Sequence, residues 1–397
     1  MGLNSPMLNF LTQFDRRTPL GWLQLSHQKG KLLVALSGIA FADVLIFMQM
    51  GFQAALYDSS VRSHQILNAD AVIFSPQALN FGNLATIPRR RLLQAQDIPG
   101  VQSAHPMYIS FAIWRNPQTH KETAIRVIGF DPDFLAIDLP DIQKNLDKTK
   151  IPDTFLFDKN SRGAYGETIA KINAGEKVTT EIDRKTITLV GTFSIGSSFG
   201  ADGHLITSDQ NFLRLFPRRP AQNVSLGMLK LVPGADADRV VAQLRQHLPN
   251  DTMVMTKTEF IEFEKGYWQR NTSIGFIFSI GVAMGFVVGI VIVYQVLSTD
   301  VNSHMAEYAT FKAMGYGTGF LLGVIFEEAI ILAVLGFFPG VAGALGLYTL
   351  ARNGTGLPIF MTVSRAGTVL VMTIVLCLIS GAIATRKLRS ADPADVF

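Results

Sequence analysis

The sequence predicts an α-helical membrane protein with four transmembrane helices and a large extracytoplasmic α+β domain inserted between helices 1 and 2. Three observations predict it. Of 397 residues, 48% are hydrophobic and only 17% charged, and the mean hydropathy of +0.27 is high for a water-soluble globule of ordinary composition. Four apolar runs, at 31–57, 272–298, 320–350 and 366–385, each reach the roughly 20 residues that cross a hydrocarbon core of about 30 Å. The interval 58–270 between the first two runs is long enough to be a domain and alternates short β-type runs with helical ones.

Residues 1–30 are expected to form a cytoplasmic segment. They carry Arg16, Arg17 and Lys29, with Lys31 at the start of the first run, while Arg386, Lys387 and Arg389 follow the last. Four spans leave both termini on one side, and the positive-inside rule makes that side cytoplasmic. The first run (31–57) has about thirty residues before it, exceeds the length of a signal-peptide core, and is followed by no A-x-A site, so it reads as a retained anchor. Asp43 lies inside it.

Domain 58–270 then falls on the extracytoplasmic side. DAVIFS (70–75) reads as a strand, 88–96 as a helix, VQSAHPMYISFAIWR as a strand or hairpin, and TAIRVIGFDP as a strand. Later, VSLGMLKLV, ADADRVVAQLRQHL and DTMVMTK read as strand, helix, strand. The expected division is a core of 58–143 and 220–270 around a β-rich inserted lobe, 144–219. Arg89, Arg90 and Arg91 read as a solvated helix face rather than a nucleic-acid patch, so no nucleic-acid partner is expected.

Within the lobe, GSSFG (196–200) matches G-x-S-x-G, with Ser198 as nucleophile and Asp202 and His204 close behind. A nucleophile elbow needs a helix after the serine. The residues after this serine loop are instead ADGHLITS, in which Asp202-Gly203 reads as a hairpin turn into a strand. A glycine-rich β connection is therefore the preferred reading, and no catalytic residue is assigned. The seven histidines form no pair at metal-ligand spacing, and the one cysteine, Cys377, can build neither a zinc site nor an internal disulfide, so no metal is expected. Tyr267 and Trp268 suit an interfacial belt before the second span.

The second span (272–298) carries Gly281, Gly285 and Gly289 on one face, and the third (320–350) repeats the spacing at Gly336 and Gly340, with Ala344 next. Small residues in register let helix backbones approach where lipid offers no hydrophobic incentive to pack. These faces suit a compact bundle or a dimer. Glu327 and Glu328 join Asp43 as acids inside apolar runs, and no intramembrane lysine or arginine partners them. At mid-membrane such a charge costs about 2.5–3.5 kcal/mol, so these residues face protein or water, or, for the Glu pair, sit where an over-long span protrudes.

Between the second and third spans, DVNSHMAEYATFKAMGYGTGFL (300–321) is a polar island. It reads as a helix capped by Asn302 or Ser303 and stopped by Gly315. His304, Tyr308 and Phe311 fall on one side, flanked by Glu307 and Met314, with Ala306, Ala309 and Ala313 on the other. One bulky face backed by a small one suits insertion into a protein groove, and only Lys312 could attract anionic lipid.

EYATFKAMGYG (307–317), together with GIAFADVLIFMQMGFQ (38–53), GTFSIGSSFGADG (191–203), IVYQVLSTDV (292–301) and the ending RSADPADVF, resembles the FtsX/MacB-type (type VII) ABC permeases, and within them the DevC-type exporter subunits of cyanobacteria. The likeness spans essentially the whole chain. Asn302 and Ser303 stand where acidic or histidine residues often follow Asp300-Val301. The resemblance implies a homodimeric mechanotransmission permease in a cyanobacterial-like bacterial inner membrane, with 300–317 as the cytoplasmic coupling helix. Its ATPase-coupling residues would be Glu307, Tyr308, Phe311, Lys312, Met314, Gly315 and Tyr316. It also implies a separate DevA-like ABC ATPase, a periplasmic DevB-like membrane-fusion adaptor, a TolC-like outer-membrane channel reached through that adaptor, and export of a lipid or glycolipid-like cargo. The tail 386–397 would lie beside the ATPase. The sequence contains no G-x-x-x-x-G-K-[ST], so this chain is expected to bind no cofactor, and ATP and Mg would be used by the partner. An FtsX-like regulator of a periplasmic hydrolase shares the four-span plan and is the alternative.

Overall fold

The computed structural model describes residues 29–198 and 200–390. Arg16, Arg17, the side chains of Arg386, Lys387 and Arg389, and the ending with Asp392-Pro393 lie outside the described residues. The chain divides into two units. One comprises the residues up to Gln53, Phe276–Leu350 and those from Ile359 onward, and the other comprises Ala54–Gly275 with the short connection Ala351–Pro358.

Helix α1 (Lys29–Gln65) is longer than the apolar run that predicted it and contributes its last turns to the α+β unit. That unit continues with β1 (Ala71–Phe74), β2 (Ile87–Pro88), α2 (Arg90–Gln96), β3 (Val101–Arg115), β4 (Glu122–Phe130), α3 (Pro140–Asn145), β5 (Thr154–Asp158) and α4 (Gly166–Asn173). Next come β6 (Val178–Ile182), β7 (Lys185–Phe193), β8 (His204–Ser208), α5 (Asp209–Leu215), β9 (Asn223–Val224), β10 (Leu226–Leu231), α6 (Ala237–His247), β11 (Met253–Thr256) and α7 (Lys257–Arg270).

Nine strands form one sheet in the order β11-β1-β10-β3-β4-β8-β5-β7-β6, and a bridge between Trp114 and Ile182 joins β6 back to β3. Six strands, β3, β4, β8, β5, β7 and β6, thus close into a ring, and β11 is left as the edge of the other half of the sheet. The 144–219 segment is an insertion in sequence only, because its strands continue the sheet of the flanks.

Residues 101–115 form a single long strand rather than a hairpin of their own, and the hairpin is β3–β4, in register from Met107 opposite Phe130 to Arg115 opposite Glu122. Its turn is built by Asn116, whose Oδ1 accepts the N–H groups of Gln118 and Thr119. The expected hairpin at Asp202-Gly203 does not form either. β5 lies between β7 and β8, and β8 runs parallel to β4.

Both faces of the sheet are covered. Tyr108, Trp114, Phe157, Leu189 and Leu205 pack on one side with Val241 and Leu244 of α6, while Phe74, Met107, Phe130, Leu156 and Ile206 pack on the other with Phe260 of α7. This is why AVIF, TFLFD and HLITS are buried along their whole length instead of alternating. Thr256 and Glu259 form a reciprocal capping box that starts α7. Arg89 and Arg90 are exposed as expected, but Arg91 is buried and its guanidinium meets the Asp251 carboxylate at 2.6 Å.

The other unit contains α8 (Ser273–Ser303), α9 (Met305–Ala313), α10 (Thr318–Thr355), with Pro339 inside it, and α11 (Val363–Ser390). Among the described residues, four helices are long and apolar enough to cross a membrane: α1, α8, α10 and α11.

Both glycine stripes face α1. A Cβ on Gly285 would meet Ile46 Cγ1 at 3.0 Å, Gly281 lies against Gln49, and Gly289 against Ala42 and Leu376. From the third span, Gly336 lies against Ile39, and a Cβ on Gly340 would sit 2.8 Å from Asp43 Cβ. The first span is therefore clasped between the glycine faces of the second and third, so the stripes find their partner within one chain.

Candidate functional site

The polar island folds differently from its expected cap. α8 continues through Asn302 and Ser303, whose hydroxyl donates to Thr299 O and accepts from Lys31 Nζ. The chain breaks at His304, which occupies the N-cap position of α9 without a side-chain cap. Ser and Thr back-bonding of this kind competes with capping, so the cap signal at Asn302 and Ser303 was misleading. At the other end Gly315, at φ +92°, stops the helix as its composition suggested.

The orientation of α9 corrects the expected docking face. Tyr308 is 2% exposed and packs with Val301, Leu321 and Ile325, with Phe311 against the same cluster. These two bulky residues anchor α9 to its own chain. The exposed surface consists of Ala306, Glu307, Thr310, Met314, Gly315 and Tyr316. Lys312 is half-buried. Phe311, Tyr316 and Phe320 form an aromatic group, with Tyr316 and Phe320 centroids 4.8 Å apart, which fixes the turn from α9 into α10.

The three intramembrane acids occupy two places. Asp43 is fully buried. Its Oδ1 accepts from Thr373 Oγ1 at 2.6 Å and its Oδ2 receives no hydrogen bond. Glu328 is also fully buried and neither of its oxygens receives a hydrogen bond, whereas Glu327 is half-buried. Asp300 was not counted among the intramembrane acids, because it opens the polar island just past the second span. The usable signal was its spacing of four from His304 on a helix.

In the α+β unit the Ser198 constellation comes together only in part. His204 Nδ1 lies 3.2 Å from Asp158 Oδ2, an acid–imidazole pair, but the other ring nitrogen faces Arg126 Nη1 at 3.4 Å. Ser198 Oγ instead accepts the N–H groups of Gly200 and Ala201 in a local turn. The expected acid, Asp202, pairs with Arg162 at 2.8 Å. Among the described residues no base reaches the serine, and a strand rather than a helix follows it, the arrangement of a glycine-rich β connection.

Asp158 is the loop's anchor. Its carboxylate accepts the N–H groups of Asn160, Ile195 and Gly196. Arg162 also donates to Thr355 O at 3.1 Å, seating the connection 351–358 on the same loop. Nearby, Arg126 lies between the rings of Phe81 and Phe111, each 5.3 Å from its centre. Burial holds the Arg126 guanidinium down at about 10, with Glu264 opposing the shift. Burial also pushes Glu264 up, but His64, the Trp268 indole and the Phe81 amide outweigh it and leave its carboxyl below the ordinary value.

Three solved structures are similar to part of this chain. The periplasmic region of MacB from Actinobacillus actinomycetemcomitans is 12% identical, over 51% of this chain and 95% of that one, with a TM-score of 0.34. The extracellular domain of the noncanonic ABC-type transporter YknZ from Gram-positive bacteria is 11% identical over 48% and 100%, with a TM-score of 0.31. A domain of a putative permease protein from Porphyromonas gingivalis is 14% identical over 47% and 88%, with a TM-score of 0.28. No curated protein sequence matches. The family models match in chain order. The MacB-like periplasmic core domain covers residues 32–247 and the FtsX-like permease C-terminal covers 278–393. With the first model alone spanning more than half of the sequence, this multi-pass membrane protein belongs to the FtsX/MacB-like family of ABC permeases.

Proposed function

We propose that the chain is the permease subunit of a tripartite ABC export system, transmitting motion generated by a separate ATPase to its α+β unit. The observation that carries this reading is α9. It is a short helix between two spans, gripped from inside by Tyr308 and Phe311 and exposed along Glu307, Thr310, Met314 and Tyr316. A rigid element anchored to two spans can pass on a displacement applied to its outer edge, provided the partner binds two states of the permease differently.

On this reading α9 and both termini are cytoplasmic, the α+β unit is periplasmic, and the membrane is a bacterial inner membrane of cyanobacterial type. The partners are a DevA-like ATPase that uses ATP and Mg, a DevB-like adaptor leading to a TolC-like channel, and a second copy of this chain. The DevC-like segments support a lipid or glycolipid-like cargo. The FtsX-like regulatory alternative has no observation in its favour.

Glu307→Lys, at the exposed edge, is expected to weaken ATPase docking about tenfold, or ~1.4 kcal/mol, and to abolish stimulation while the protein still inserts. Tyr308→Phe, inside the anchor, should leave docking intact. Co-purification with the ATPase and ATP turnover in proteoliposomes measure both. Unchanged docking by Glu307→Lys would overturn the assignment of this edge.

A further inference from the structure

Asp300 and Glu328 stand out among the buried groups that the proposed mechanism does not use. Glu328 is 0% exposed and neither of its oxygens receives a hydrogen bond. Asp300 is 6% exposed, and its Oδ2 likewise receives none. The two carboxyls nevertheless belong to the same helix crossing, where Val301, next to Asp300, packs with Ile325, about one turn before Glu328. Two ionised carboxylates in this position would present only acceptors, combining like-charge repulsion with desolvation of both charges.

One proton removes the conflict. Placed on Glu328, it becomes an O–H donor to the Asp300 carboxylate, so that a single proton gives both acids a partner and leaves one negative charge instead of two. The surroundings suit one charge. From α1, Lys31 acts on Asp300 while its ammonium donates to Ser303 Oγ. From the α8–α9 junction, His304 Nδ1 lies 3.5 Å from Asp300 Oδ2. From α9, Glu307 adds a further negative charge. On α10 the pair's own Glu328 is the facing group, with Glu327 next to it in sequence.

We propose that Asp300 and Glu328 form a proton-binding site that holds one shared proton and ties the end of α8 to α10 directly beside α9. The ligand is the proton itself, held by an O–H···O bond between two carboxyls. The site joins the two helices that flank α9, so any rearrangement that separates them breaks the shared bond and changes the affinity for that proton. Proton occupancy and the position of α9 are therefore linked, whichever partner moves the helix.

The test is infrared spectroscopy of the full-length protein in lipid bilayers, read at the C=O stretch of protonated carboxyls. Near neutral pH, Glu328→Gln should remove one such band from the wild-type spectrum, with Asp43→Asn marking the separate contribution of Asp43. Selective carbon-13 labelling of glutamate in the wild type should shift the same band, which gives the readout without any substitution. In Asp300→Asn the band should vanish at a pH at least about one unit lower than in the wild type, because the like charge that retains the proton is gone. A wild-type spectrum with no band sensitive to glutamate labelling would overturn the proposal. So would a band unmoved by Asp300→Asn, which would make burial rather than the pair the cause. A band that appears only when sodium is withheld would make this a metal-cation site and equally sink it.

Discussion

Asp158 and Glu328 are both fully buried carboxyls, one in each unit, and their surroundings are opposite. Asp158 meets three backbone N–H groups and the His204 imidazole. Glu328 meets no donor on either oxygen. Asp43 resembles Glu328, with one hydroxyl on Oδ1 and nothing on Oδ2. In the α+β unit buried charge is solvated by the protein, and there it organises loops. In the helical unit Asp43 and Glu328 each keep at least one oxygen with no donor among the described residues, an arrangement that costs least when the charge is absent or shared. Burial alone therefore says little about what an acid does, and its donors say most.

The strongest way to break this comparison is to remove the solvated charge. Asp158→Ala would leave three amides and the His204–Arg126 pair facing a void. It should destabilise the α+β unit by about 3–5 kcal/mol, read as loss of protease resistance in residues 54–275 of the purified full chain. A loss under about 1 kcal/mol would mean that Asp158 is not the anchor of the 194–198 loop.

A conservative exchange sharpens the contrast. Glu264→Gln keeps an acceptor for the Trp268 indole or the Phe81 amide but loses the charge that faces His64 and Arg126, at an expected cost of about 1.5–3 kcal/mol. Asp43→Asn keeps the acceptor for Thr373 and should cost less than about 1 kcal/mol. Thermal unfolding of both variants in the same detergent compares them, and equal losses would erase the distinction between the two units.

The sequence made the long features legible. Apolar length located four spans, and the glycine spacing located the faces of α8 and α10 that clasp α1, because both signals are local. Strand-by-strand periodicity located β1, β3, β4, β10 and β11, but could not show that β5 would slip between β7 and β8, since strand order is set by contacts far apart in sequence. The island was recognised as a helix, but its two bulkiest residues face its own chain rather than a partner. Tyr308 and Phe311 form a bulky stripe whether they meet a partner or Leu321 and Ile325, and helical geometry cannot tell these apart. Asp300 was passed over because its partner, Glu328, is on the next long helix.

The smallest expected effect tests the solvated side of the comparison by pH. Burial, with Arg126 and Arg62 acting in the same direction, pushes His204 below the ordinary histidine value of 6.5, although Asp158 opposes them. The groups that face the ring are thus Asp158 from β5, Arg126 from β4 and Arg62 from α1. Below about pH 6.5 the unfolded chain takes up a proton on this histidine that the folded unit refuses. The stability His204 contributes is therefore complete above that value and declines as pH falls toward its folded pKa, by at most about 1.4 kcal/mol per unit. His204→Asn, whose amide can still donate to Asp158, should remove this part of the slope while lowering stability modestly at neutral pH. Denaturant unfolding of the α+β unit within the full chain, at several pH values on either side of 6.5, measures it, and identical slopes for the two proteins would show that His204 is not held neutral by its buried surroundings.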